Sequence, residues 1–187
     1  MTPAQHFPRP TLAQFAQGVG AMVAVVLASN YLVQFPINDW LTWGAFSYPV
    51  AYLVSDLINR RFGPGLARRV AWLGFAVALA ASLAVAPARI AAASGLAFIA
   101  SQLLDIGIFD RLRRGTWWRA PLVATFIAAA LDSIVFWGIA FAGTDGPWIT
   151  WALGDLAVKL AVGVFLLLPF RLIIGRAAPS KVQAGNA

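Results

Sequence analysis

The chain has 187 residues, 60% of them apolar and 11% charged, with a mean hydropathy of +0.76. This excludes an ordinary soluble domain, and the length suffices for one helical bundle rather than two domains. There is no cysteine, and the single histidine, His6, lies in the polar leader, so disulfides, thiol nucleophiles and a buried histidine or cysteine metal site are excluded. The net charge of +7 would suit nucleic acid in a soluble protein, but these bases sit at the ends of apolar runs, where membrane topology accounts for them.

The leader contains three prolines and no small-residue cleavage site follows, so no removable signal peptide is expected. The first predicted helix covers residues 12–33. Gly20, Ala24 and Ala28 recur every fourth residue, a small-residue stripe read as internal packing, with contact to a separate subunit as the alternative. Residues 35–39 read as a short turn. The second helix is predicted over 40–59, overlapping a run, 41–63, that reads as one membrane span. Trp40 and Trp43 mark its entry at headgroup level, Asp56 lies inside it, and Arg60 and Arg61 mark its exit. Pro49 in its middle removes one backbone donor, which makes either a kink or an irregular stretch lining a cavity.

Residues 60–69 are expected to form a basic loop around Gly63-Pro64-Gly65. An uncharged, alanine-rich helix follows over 70–86, and Pro87 ends it. The fourth helix starts with Arg89 in its first turn and runs to Asp105 or Phe109. Arg111, Arg113, Arg114 and Arg119, interleaved with Trp117 and Trp118, read as an interfacial anchor rather than a nucleic-acid site. The fifth helix spans 121–142 and the sixth 148–174, joined by a turn at 143–147. With six helices and a cytoplasmic amino terminus, twelve bases fall on the inner side and only Arg89 outside. The expected fold is therefore all-α: a compact bundle of six transmembrane helices with both termini cytoplasmic. Its divisions are a polar leader (1–11), one transmembrane domain (12–175) and a flexible tail (176–187).

Charge inside the spans is the chemical signal, because an ionised side chain in hydrocarbon needs a partner, water or a proton. Asp155 and Lys159, four apart on the sixth helix, share a face and can pair. Asp132, with Ser133 beside it, lies at similar depth on the fifth helix. Two acids against one base leave a surplus negative charge, which favours uptake of a proton or of a ligand's donor edge. Asn30, Ser101 and Gln102 are weaker signals, since amides and hydroxyls often only bridge helices. Asp105 and Asp110 are read as solvated or paired near the arginine loop. Arg89 is expected to snorkel at the outer surface or guard its mouth.

Residues 41–63, Ala88-Arg89-Ile90-Ala91, Ser101-Gln102-Leu103-Leu104-Asp105, Asp155 with Lys159, and Pro169 together resemble the VUT family, the queuosine precursor transporters once called vitamin uptake transporters. The resemblance implies a non-enzymatic inner-membrane importer of 7-deazaguanine compounds such as 7-cyano-7-deazaguanine, without cofactor or metal. Such a nucleobase-like substrate presents adjacent N–H donors that a carboxylate accepts together, an edge that amides complement, and a face for stacking. The substrate-binding candidates are Asp56, Gln102, Asp132, Asp155, Lys159, Asn30, Tyr52 and Phe46. The alternative is a substrate-binding membrane subunit energised by a partner, and a homo-oligomer is also left open. No Gly-x-x-x-x-Gly-Lys loop is present, so the chain does not use ATP in that way.

Overall fold

The computed structural model describes residues 7–177; His6 and the expected tail beyond 177 lie outside them. The described chain folds into α1 (Leu12–Leu32), β1 (Pro36–Asn38), β2 (Leu41–Thr42), α2 (Gly44–Ser47), α3 (Pro49–Phe62), α4 (Pro64–Val85), α5 (Ala88–Leu112), α6 (Arg119–Phe141) and α7 (Trp148–Ala177). Helices α1, α4, α5, α6 and α7 are long and apolar enough to cross a membrane. The sixth rod is α2 and α3 in succession: Tyr48 between them stays helical at φ −60° and ψ −39°, and Pro49 opens α3. Proline has no N–H to give the carbonyl of Ala45, which interrupts the helix without turning the chain away.

Three expectations are corrected. The second helix begins at Gly44, not at Trp40, because residues 36–42 form an antiparallel hairpin. Asn38 closes it, its Oδ1 accepting from the N–H groups of Trp40 at 2.8 Å and Leu41 at 3.0 Å. The hairpin docks on the start of α7, where Trp151 Nε1 donates to the Asn38 carbonyl at 2.9 Å and the Thr150 hydroxyl donates to the Asp39 carbonyl. The Trp40 carbonyl sits against Gly154, where a Cβ would collide with it. Trp40 and Trp43 are each 54% exposed on the outside of the bundle.

The basic loop is also shorter than expected. Gly63, at φ 88°, turns the chain in one residue, and Pro64 occupies the first position of α4, where its fixed φ suits a helix start. Arg68 and Arg69 are therefore helical. Finally, Gly20, Ala24 and Ala28 face away from the bundle, and Gly20 has nothing within 4 Å of where a Cβ would stand. The inward face of α1 is instead Met22, Val26, Ser29 and Asn30.

Lipid is as apolar as leucine, so the helices associate through close packing and polar contacts. Small residues allow it: Ala91, Ala93 and Ala97 of α5 and Ala124, Ala128 and Ala129 of α6 are buried, and α5–α6 is the most extensive helix pair. Near the hairpin, Trp137, Phe141 and Trp151 pack together. At the opposite end, Phe109 meets Phe170 edge to face. Between these layers α3 contacts every other helix, which places its side chains at the centre of the molecule.

Candidate functional site

The centre of the site is Lys159, 2% exposed at the middle of α7. Its ammonium donates to Asp132 Oδ2 of α6 at 2.7 Å, to Asp155 Oδ2 one turn back at 2.5 Å, and to Ser133 Oγ at 3.2 Å. Ser133 donates in turn to Asp155 Oδ2 at 2.7 Å, and Ser101 of α5 to Asp132 Oδ1 at 3.2 Å. The Tyr48 ring lies under the ammonium, 4.9 Å from Nζ to its centroid. The predicted i,i+4 pair is thus present, and α6 brings Asp132 to the same lysine. One cation faces two carboxylates, and neighbouring hydroxyls meet part of the surplus charge.

These groups border a cavity shared with Ser29, Asn30, Ser94, Val33, Gly44 and Phe136. Asn30 is fixed at both ends of its amide: Nδ2 donates to Ser82 Oγ at 2.6 Å, and Oδ1 accepts from Ser94 Oγ at 2.5 Å. Ser29 Oγ lies 2.8 Å from Ser47 Oγ, tying α1 to α2. Gly44 admits this approach, since a Cβ there would lie 2.8 Å from the Val33 backbone. The cavity volume is about 20 Å³, room for one water, so the site is closed around its polar groups.

The remaining candidates occupy other places. Asp56, Gln102 and Tyr52 are buried at the interface of α3 with α5, Tyr52 beside Ser101 and so next to the Lys159 cluster. Phe46 is apart from both groups; it is 45% exposed and packs on Trp43. Asp105 is corrected: it is fully buried, because α5 continues to Leu112 and carries it well inside the bundle, next to Ile106, whose carbonyl accepts from Asn59 of α3. Asp110 does pair near the arginines, with Arg113 at 2.8 Å. Arg89 donates to the carbonyls of Ile139 at 2.8 Å and Ala142 at 2.6 Å, capping the C-terminal end of α6. Ser29, Ser82 and Ser94 were not singled out from sequence. A serine every few residues in an apolar helix is an ambiguous signal; only the crossing of α1, α4 and α5 brings Ser82 and Ser94 to the Asn30 amide, and only the approach of α2 brings Ser47 to Ser29.

A bundle with five helices long and apolar enough to cross a membrane and a buried, charged, cavity-lining cluster defines a multi-pass membrane protein with a polar interior site. The family described as "Putative vitamin uptake transporter" matches residues 42–88 and 82–174, and the chain belongs to that family. The chain is 35% identical to the queuosine precursor transporter of Escherichia coli strain K12, over 78% of this chain and 79% of the relative. It is 32% identical to the "Probable queuosine precursor transporter" of Haemophilus influenzae, over 79% and 80%, and 26% identical to the protein so named in Bacillus subtilis, over 76% and 75%. No solved structure matches the chain. Family membership makes it a transporter rather than an enzyme.

Proposed function

We propose that the chain imports a 7-deazaguanine precursor of queuosine, such as 7-cyano-7-deazaguanine, across the bacterial inner membrane. The observation that carries this reading is the buried Asp132–Lys159–Asp155 cluster on a cavity edged by Asn30, Tyr48 and Phe136. A deazaguanine offers its ring N–H and exocyclic amine to one carboxylate, a directional, charge-assisted pair. The surplus negative charge of the cluster recruits that donor edge, and Tyr48 or Phe136 supplies a face for the ring. Three relatives named for queuosine precursors support the choice of substrate.

A cavity of about 20 Å³ does not hold a bicyclic base, so binding requires the helices to part. Transport then follows as alternate opening toward either side around the Lys159 cluster. The inner membrane is part of the proposal because outer-membrane spans are β-barrels and these are helices. So is orientation: the bias of twelve bases against one supports a bundle with both chain ends and its Arg60 end on the cytoplasmic side.

The test is uptake of labelled 7-cyano-7-deazaguanine, first by cells unable to synthesise it and then by proteoliposomes holding this chain alone. Accumulation in both supports the proposal. Uptake in cells but not in proteoliposomes points to an energising partner, and uptake in neither overturns it.

A further inference from the structure

A second buried polar layer crosses the interface of α3 and α5. Ser55 donates to Gln102 Oε1, and Asn59 Nδ2 donates to the Ile106 carbonyl at 3.1 Å; between these two contacts lie Asp56, next to Ser55 on α3, and Asp105, next to Ile106 on α5, so both acids are on the same seam. Asp56 is 2% exposed and Asp105 fully buried. Among the described residues neither acid has a cation. Asp56 Oδ1 and both oxygens of Asp105 are buried without a hydrogen-bond partner, and the flanking amides are half-satisfied, Asn59 Oδ1 and Gln102 Nε2 also being buried without partners. Those amides are held at the α3–α5 seam by their bonded ends.

The surroundings provide no neutralising charge. From α4, Ala67 and Ala71 pack against Ile106. From α6 and α7, Thr125, Gly163 and Phe170 border a cavity of about 10 Å³ that reaches Asp56. Tyr52, buried one turn before Asp56 on α3, is the other titratable group beside this layer. The nearest guanidiniums are committed elsewhere: Arg113 donates to the Asn59 carbonyl at 2.5 Å and to Asp110, and Arg60 donates to the Arg113 carbonyl at 2.6 Å. Two like charges in contact without water are strongly unfavourable, whereas one proton between them makes an acid–carboxylate hydrogen bond.

We infer that Asp56 and Asp105 form a proton-binding site, separate from the Lys159 cluster, that takes up one proton and releases it as substrate moves. The coupling role rests on the proposed import; the proton site does not. The balance is simple: a proton enters from one aqueous side, sits between two carboxylates, and leaves to the other side, with no bond in the substrate changed. Tyr52 and Ser101 stand between the two layers, since Tyr52 lies beside Ser101, and Ser101 donates to Asp132. Occupancy of one layer therefore bears on the packing of the other.

Infrared spectroscopy of the reconstituted protein tests the site without any substrate. Wild type should show a protonated-carboxyl band near neutral pH that disappears on alkaline titration and is indifferent to added sodium. The double variant Asp56→Asn with Asp105→Asn should lose it, each single Asn variant should keep one buried neutral acid whose band is shifted and titrates at lower pH than in wild type, and Asp105→Glu, which keeps both carboxyls, should retain the wild-type band. A band unchanged in the double variant places the proton elsewhere, and a band abolished by sodium makes this a sodium site; either result overturns the inference. In proteoliposomes, an acid-outside gradient should accelerate wild-type uptake several-fold. Asp105→Asn should bind 7-cyano-7-deazaguanine within about twofold of wild type yet lose that acceleration. A variant that still responds to the gradient overturns the coupling. Wild type that shows the band but moves no deazaguanine contradicts the proposed substrate and leaves the proton site standing.

Discussion

Lys159 neutralises two carboxylates at once, so its loss differs from the loss of either acid. Lys159→Met keeps the length of the side chain and removes the charge, leaving Asp132 and Asp155 buried face to face without a cation. Breaking a buried ionic group in this way costs about 3–5 kcal/mol. The variant should unfold at lower temperature or denaturant than wild type in detergent, and adding Asp132→Asn and Asp155→Asn together should recover much of the loss. If Lys159→Met is as stable as wild type, the ammonium does not hold the cluster. The same residues were the ones sequence made plain. An aspartate and a lysine four apart in an otherwise uncharged span leave few alternatives to a shared, lipid-shielded face. Asp105 misled for the opposite reason. Arg111, Arg113 and Arg114 close behind it in the chain suggested an aqueous loop, and only the true end of α5 at Leu112 shows that it is buried.

At the scale of elements, the number and order of the six helical rods were legible, as were the starts of α1, α5 and α7; the starts of the second and third rods were not. Apolar length sets a span, but strands of three and two residues are too short to carry any period, so β1 was read within a turn and β2 was absorbed into the helix. A small-residue stripe likewise reports that one face of α1 is smooth without reporting what it meets, and here the smooth face is outside. That contrast yields a prediction. Gly44→Val would drive a side chain into the Val33 backbone, separate α2 from α1, and distort the cavity wall that carries Ser47 and Tyr48. Its uptake of labelled substrate should fall at least tenfold at equal membrane abundance. Gly20→Val, with open space around it, should transport as wild type does. Equal uptake by the two variants would mean that contact between α1 and α2 does not shape the site.

For the whole molecule, orientation and site are the two claims that matter. The absence of cysteine makes topology directly readable, because any introduced thiol is unique. Gly146→Cys, between α6 and α7, should react with a membrane-impermeant maleimide added to intact spheroplasts, and Gly115→Cys, between α5 and α6, only after lysis; the reverse pattern would invert the bundle. The bundle places its charge in two layers across α3, with the substrate proposed at one of them. The most direct test of that assignment is equilibrium binding of labelled 7-cyano-7-deazaguanine to purified, monodisperse wild type and Asp132→Asn. An amide in place of the carboxylate loses a charge-assisted interaction of about 1.5–3 kcal/mol, so affinity should fall between roughly tenfold and a hundredfold while the protein stays folded. Identical affinity in the two proteins would contradict a substrate site built on the Lys159 cluster.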